Sequence, residues 1–286
     1  LAPERLLMAD FLEGFLPRLQ EAQGISAFAI DEAHCVSEWG HDFRPEYRQL
    51  GLLREIFPKV TIGAYTATAT QQVRDDIAEQ LHLENPAMLV GSFDRPNLVY
   101  KVQRRTNKLK QVCAVLDRHK GESGIVYCIR RKDVDELSAL LSAKGYNVLP
   151  YHAGMADQDR RQNQDAFINE KVDTIVATIA FGMGIDKSNV RYVIHTGMPK
   201  SLEHYQQETG RAGRDGLEAE CCLFYSGGDY GTWKNLLSET EPEAHKIAVA
   251  KLDQMYSYCT GGVCRHKAIL RYFGQALGKD DCAACD

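Results

Sequence analysis

Between residues 124 and 225 five short apolar runs recur: 124–128 (GIVYC), 147–151 (NVLPY), 173–177 (DTIVA), 191–195 (RYVIH) and 220–225 (ECCLFY). Segments with helical periodicity separate several of them, at 132–143, 157–168 and 201–209. Parallel strands need a crossover long enough to bring the chain back, and these helices supply it. The alternation therefore specifies an α/β fold with a doubly wound parallel sheet. Such sheets carry their chemistry on loops past the carboxyl ends of the strands.

Earlier in the chain, residues 25–30 (ISAFAI) form an apolar run suited to a buried strand, and 59–64 (KVTIGA) reads as the next. Tyr47, Leu50, Leu53, Ile56 and Phe57 recur at helical spacing across 45–57, and a further helix is expected over 71–81. After residue 228 the pattern turns to helices only, at 229–237, 242–258 and 265–273. The chain of 286 residues is long enough for two compact domains.

The net charge of −5 excludes a globally basic nucleic-acid binder. Any phosphate contact must come from local patches such as Lys101 to Lys110, Arg130-Arg131-Lys132 or Arg160-Arg161, each of which also reads as a solvated face. No apolar run approaches the roughly 18 residues of a membrane span, and no secretory signal opens the chain. The expected location is therefore inside the cell. Cys35, Cys113, Cys128, Cys221 and Cys222 read as small core residues, whereas Cys259, Cys264, Cys282 and Cys285 crowd the end of the chain. Clustered cysteines without an export signal argue for a metal rather than disulfides.

The run 25–30 ends in Asp31-Glu32-Ala33-His34. Two acids past a strand end suit nucleotide hydrolysis: Asp31 can hold Mg²⁺ and Glu32 can orient the attacking water. The loop that follows, Trp39-Gly40-His41-Asp42-Phe43-Arg44-Pro45, offers aromatics on which unstacked bases can stack, or a plug tucked under a helix. Thr66-Ala67-Thr68-Ala69-Thr70 places small hydroxyls where they can link the acids to a nucleic-acid channel or cap the next helix. In the second half, His152 and Gly154 follow one strand. They suit either a phosphodiester approach or, for His152, a buried hydrogen bond. Thr178, Phe181, Met183 and the flanking glycines form a loop able to approach a nucleic-acid backbone, and Asp186 can receive a ribose hydroxyl or an arginine. Gln207, Arg211 and Arg214 lie in QETGRAGRDG, where two arginines three apart on a glycine-loosened helix end can reach one γ-phosphate.

These letters, in this order, resemble the RecQ family of DNA helicases. DEAHCVSEWGHDFRPEY resembles motif II with the aromatic-rich loop, TATAT motif III, ATIAFGMGID motif V and QETGRAGR motif VI. The resemblance covers essentially the whole chain. It implies two RecA-like lobes, the first incomplete, followed by a helical zinc-binding subdomain. The expected boundaries are 1–92 for the first lobe, 93–97 for an interlobe linker, 98–228 for the second lobe and 229–286 for the zinc subdomain. It implies a 3′–5′ DNA helicase that hydrolyses ATP with Mg²⁺ and serves recombination, repair and replication. The DNA would be single strands and duplex junctions, with repair or replication proteins as partners, in a bacterial nucleoid or a nucleus. Catalysis would fall to Asp31, Glu32, His34, Gln207, Arg211 and Arg214. Nucleotide binding would fall to Asp31, Glu32, Asp186, Arg211 and Arg214. Nucleic-acid contacts would fall to Trp39, His41, Phe43, Arg44, His152, Gly154, Thr178, Phe181 and Met183.

Two departures from the family pattern stand out. No G-x-x-x-x-G-K-[ST] phosphate loop occurs in the chain, which leads us to expect a fragment that by itself is not a working motor. Cys264, Cys282 and Cys285 match the family's Zn²⁺ ligands, but the fourth cysteine is missing; Cys259 or His266 is a possible substitute. A DEAH-type RNA helicase and a non-catalytic nucleic-acid-binding fragment are the alternative readings.

Overall fold

The computed structural model describes residues 1–182, 185–238, 240–278, 282 and 284–286, in two compact units, Leu1–Gly91 and Ser92–Asp286. The first unit runs through α1 (Pro3–Leu6), a π-helical stretch Asp10–Phe15, α2 (Leu16–Ala22), β1 (Ala27–Ile30), α3 (Pro45–Arg48), α4 (Leu52–Ile56), β2 (Thr61–Ala64) and α5 (Gln71–Gln80). β1 and β2 pair in parallel, Ala27 opposite Thr61 and Ile30 opposite Ala64. The expected burial of β1 needs correction. Phe28 and Ile30 turn into a core with Leu12, Leu16, Val73 and Ile77, while Ala27 and Ala29 are exposed. With side chains alternating at period 2 and helices packed on one face, only every second residue meets apolar partners. The helix expected across 45–57 is likewise divided. A 3₁₀ turn, Gln49–Gly51, interrupts it where Gly51 weakens helix propensity.

The second unit comprises β3 (Leu98–Arg104), α6 (Lys108–Arg118), β4 (Ser123–Tyr127), α7 (Arg131–Ala143), β5 (Val148–Tyr151), α8 (Asp157–Ile168), β6 (Thr174–Ala177), β7 (Val190–His195), α9 (Leu202–Thr209), β8 (Ala219–Tyr225), α10 (Gly227–Leu237), α11 (Pro242–Thr260) and α12 (Arg265–Tyr272). Among the described residues its six strands form one parallel sheet in the order β3-β8-β7-β4-β6-β5. β4 and β6 are buried along their whole length, as parallel strands covered on both faces must be. The doubly wound reading of 124–225 holds element by element. β3 and α6 add to it; Lys101 and the polar end Gln103-Arg104 mask the alternating Leu98, Tyr100 and Val102 that anchor β3. Lys101, expected in a basic patch, instead pairs at 2.8 Å with the buried Glu220 of β8.

One face of the sheet packs against α6 and α7 through Val112, Val134, Leu137 and Leu141. The other shares a single core with the helical C-terminal region: Leu98, Tyr100 and Tyr205 pack with Leu252, Met255, Tyr258, Ile269 and Phe273. The exposed edge of β3 is covered by the chain's last residues. Tyr100 donates its N–H to the Ala284 carbonyl at 3.1 Å, and Asp286 donates to the Tyr100 carbonyl at 3.1 Å.

Candidate nucleotide and nucleic-acid sites

Because β1 and β2 are parallel neighbours, the loops leaving their carboxyl ends lie side by side. Asp31 is exposed, and its Oδ1 accepts the Glu32 N–H at 2.8 Å. Glu32 sits in the left-handed region (φ 50°, ψ 41°), a conformation that costs a non-glycine residue on the order of 1–3 kcal/mol and is concentrated at functional sites. The Ala33 N–H, donated to the Tyr65 carbonyl at 2.9 Å, ties this loop to the end of β2. His34 is buried, with Nδ1 3.0 Å from Thr66 Oγ1 and 3.3 Å from Glu32 Oε2. Thr66 also accepts the Thr68 N–H at 3.3 Å, and Thr70 caps α5 by accepting from the Val73 N–H at 3.4 Å. The threonine run therefore does both jobs open to it: one hydroxyl meets the histidine, another starts a helix.

The aromatic loop divides in the same way. Trp39 is 44% exposed, and Phe43 is half-buried with the Arg48 guanidinium 5.6 Å from its ring centre. Arg44 pairs with Asp42 at 2.8 Å. His41 is a correction to the base-platform expectation: its ring is buried and stacked on His34 at 4.0 Å and 14°, so that face is taken. Gly40 makes this possible. A Cβ there would fall 2.2 Å from the His34 carbonyl oxygen and 2.9 Å from that of Ser37.

In the second unit His152, Thr178 and Phe181 again follow strand ends, while Gln207, Arg211 and Arg214 lie on α9 and the loop after it. His152, after β5, is buried; its Nδ1 accepts the Gly154 N–H at 3.1 Å, so Nε2 carries the proton toward Asp135 Oδ1 at 2.9 Å. Thr178, after β6, is buried and its carbonyl accepts the Phe181 N–H at 3.0 Å. Phe181 requires correction: at 1% exposure, with its ring edge-on to Tyr151 and Phe167, it fills the core and cannot touch nucleic acid through its side chain. The short spacing behind β6 draws an apolar ring inward where the letters alone suggested a surface loop. Met183 lies outside the described residues.

Arg211 is buried and donates from Nη1 to the Gly182 carbonyl at 2.5 Å; its Nε, also buried, has no hydrogen-bond partner among the described residues. Arg214 donates to Asp186 Oδ1 at 2.8 Å and to the Ile185 carbonyl at 3.1 Å, so Asp186 holds an arginine here. Gln207 is half-buried on the last turn of α9. The arginines of the QETGRAGR stretch therefore hold the loop of the ATIAFGMGID stretch. Two further groups were not singled out from sequence. His195 Nε2 meets Glu208 Oε2 at 2.6 Å in the interior, and the only signal was a histidine ending a buried strand. Arg105 pairs with the buried Asp229 at 2.6 Å beside a cleft of about 280 Å³, lined also by Lys108, Arg130 and Asp133. That cleft lies where the connections from β4 and β7 part to opposite sides, the usual position for a ligand in an open α/β sheet.

The thiol sulfurs of Cys264, Cys282 and Cys285 lie within 4.8 Å of one another. Cys264 occupies the N-cap position of α12. Partial burial pushes its thiol up, but the Lys267 and His266 N–H groups and the two neighbouring thiols bring it below the ordinary range. Three converging sulfurs, one favouring the thiolate, fit a tetrahedral zinc ion. Neither proposed substitute for a fourth ligand joins them. Cys259 is buried in the core, which pushes its thiol up to about 12. His266 is engaged through Nδ1 with Asp94 at 2.8 Å and through Nε2 with the Leu98 carbonyl at 3.1 Å.

Known proteins bear on this arrangement. The helicase conserved C-terminal domain matches residues 107–216, and the RecQ zinc-binding region matches residues 227–286. The chain is 45% identical over its full length to the ATP-dependent DNA helicase RecQ of Pasteurella multocida, covering 44% of that protein. It is 42% identical to the ATP-dependent DNA helicase RecQ of Bacillus subtilis, again over its full length and covering 48%. A putative ATP-dependent RNA helicase of Acanthamoeba polyphaga mimivirus is 40% identical over 96% of the chain and 50% of its own length. The chain thus spans about half the length of the curated relatives it matches. Saccharomyces cerevisiae Dbp5, solved bound to RNA and ADP BeF3, superposes with a TM-score of 0.60 over 84% of this chain and 67% of its own, at 19% identity, a likeness of fold alone. With helicase motifs on its loops, a cysteine triad in its RecQ zinc-binding region and similarity along its own whole length to about half of each bacterial protein, this chain belongs to the RecQ family.

Proposed function

We propose that the protein is an ATP-dependent DNA helicase of RecQ type, moving 3′–5′ along one strand. One observation carries the reading. Acids suited to Mg²⁺ and water (Asp31, Glu32) follow the carboxyl end of β1, and arginines suited to a γ-phosphate (Arg211, Arg214) stand on the loop after α9, anchored to the loop after β6, in a chain 42–45% identical to proteins named ATP-dependent DNA helicases. ATP with Mg²⁺ supplies the phosphoryl group whose transfer to water drives the cycle. In this reading Asp31 holds the metal, Glu32 orients the water and His34 passes the state of Glu32 to Thr66. Arg211 and Arg214 neutralise charge on the transferring phosphate, with Gln207 and Asp186 beside them. The Nε donor of Arg211, which has no hydrogen-bond partner among the described residues, supports that role. Residues 1–92 and 98–228 act as the two helicase lobes, 93–97 as their connection and 229–286 as the zinc subdomain.

In the first unit Trp39 and Phe43 offer stacking surface and Arg44 a cation; in the second the backbone at Gly154 can approach a strand, with the buried His152 and Thr178 shaping the loops behind it; DNA single strands and junctions are the substrate and a nucleoid or nucleus the setting. The test is ATP turnover by the full-length protein with and without single-stranded DNA. Strong stimulation lost on Glu32→Gln supports the proposal; turnover unaffected by that change overturns it. The similarity to a protein named as an RNA helicase favours one alternative, an RNA substrate, which greater stimulation by RNA than by DNA would establish.

A further inference from the structure

The segment just past the boundary between the two units is held to the second unit side chain by side chain. Phe93 stacks on Phe273 at 4.2 Å and 7°, its N–H is accepted by Gln275 Oε1 at 2.9 Å, and its carbonyl accepts from Gln206 Nε2 at 3.2 Å. Asp94 meets His266 at 2.8 Å. The next two polar residues turn to the loop that carries Arg211 and Arg214. Arg95 donates to the carbonyls of Gly210 (3.4 Å), Ala212 (3.0 Å) and Gly213 (2.9 Å). Asn97 donates from Nδ2 to the carbonyls of Gly213 and Leu217, each at 2.9 Å.

These contacts answer a physical need. The loop continues α9 as turns rather than as helix, so its carbonyls lack the donors that a further helical turn would supply. A guanidinium at a helix carboxyl end satisfies them with a rigid planar fork and also complements the helix dipole. Gly213 fits the same device. It has φ 56°, and a Cβ there would fall 2.4 Å from Asn97 Nδ2. Arg211 lies between two of the carbonyls that Arg95 binds, so the backbone on both sides of the arginine is tied by one side chain.

We propose that Arg95 and Asn97 are positioning residues for the Arg211–Arg214 loop. The peptide that leaves the first unit thereby sets where the arginines of the second unit stand. Neither side chain touches the reacting phosphate; they act through the loop's backbone. The inference rests on the reading of Arg211 and Arg214 as phosphate-binding arginines.

The test uses the full-length protein with saturating single-stranded DNA and compares Arg95→Gln, Arg95→Lys, Asn97→Ala and Arg211→Ala. Displacing a reacting group by about 1 Å can cost on the order of a hundredfold, so Arg95→Gln is expected to lower kcat roughly ten- to hundredfold with little change in KM for ATP. Arg95→Lys, which keeps the charge but not the fork, is expected to recover part of the loss. Backbone amide exchange over 210–217 is expected to speed up while the sheet stays protected. A folded Arg95→Gln protein with wild-type kcat and unchanged exchange overturns the proposal. Should Arg95→Gln fail to fold, Asn97→Ala decides by the same two readouts at smaller amplitude. Wild-type turnover in Arg211→Ala would remove the arginine reading instead, and exchange in the Arg95 variants would still decide whether that residue holds the loop.

Discussion

Arg211 Nη1 lies 2.5 Å from the carbonyl oxygen of Gly182, joining the loop after α9 to the loop after β6. An arginine tied in this way is held in place before any phosphate arrives. Replacing it by alanine is expected to lower ATP turnover by roughly 10³–10⁵, the worth of an arginine that neutralises a transferring phosphoryl group. Lysine should rescue little, because its compact ammonium lacks the planar fork whose separated nitrogens reach the carbonyl on one side and a phosphate oxygen on the other. Steady-state hydrolysis with saturating DNA measures both.

Thr66→Val should separate fold from coupling in the first unit. The change keeps the side-chain shape but removes the hydroxyl 3.0 Å from His34 Nδ1. The expected loss of stability is about 1 kcal/mol, the net worth of one hydrogen bond, read from a denaturant midpoint. DNA stimulation of turnover should fall by a larger factor than basal turnover if the histidine links the two loops.

Gly40→Ala is expected to be more damaging. Its Cβ would sit 2.2 Å from backbone rather than from a movable side chain, so the turn between His34 and His41 must open. A cost of roughly 2–3 kcal/mol follows from backbone strain of this kind, together with lost stacking of the two imidazoles. Thermal unfolding of the purified variant checks it.

Stability should depend on pH through Glu220. This buried carboxylate holds Lys101 at 2.8 Å, Arg118 at 2.7 Å and His119 at 2.9 Å. Burial opposes its charge, but His119, Arg118 and Lys101 outweigh that and hold its pKa well below the ordinary 4.5. Its contribution is therefore present above pH 4.5 and is lost as pH falls toward the depressed folded value. His119 is raised above 6.5, chiefly by Glu220. Its contribution is complete below pH 6.5 and is lost as pH rises through the raised folded value. Urea midpoints measured across that upper range should fall in the wild type and stay flatter in His119→Gln.

Substituting Cys282 by serine should lower zinc content and stability together. Two of the three sulfurs, those of Cys282 and Cys285, and the strand-edge pairing of Tyr100 with Ala284 and Asp286 belong to one short segment, so a loosened metal site also uncovers the edge of β3. A loss of about 2 kcal/mol corresponds to a thermal midpoint roughly 4–8 °C lower for a unit of this size. Metal analysis and calorimetry on the same samples test the link.

The doubly wound second unit was legible in the letters because fully buried parallel strands such as β4 and β6 must be apolar throughout, whatever surrounds them. β3 was not, since an edge strand needs only alternate apolar residues and Lys101, Gln103 and Arg104 conceal the pattern. The motifs and their order were likewise readable, because the spacing of charged and glycine residues within one loop is a local property. Which side chains those loops expose is not local. Phe181 turned into the core and His41 stacked on His34 because neighbouring elements left apolar space and an aromatic face there. The chain by itself therefore determined the sheet, the loops and the family. Only tertiary packing decided that His34 answers to Thr66, that Arg211 is anchored on Gly182, and that Arg95, more than a hundred residues away in sequence, holds the loop beneath it. Hydrogen bonds between distant backbones leave no periodic trace in a sequence.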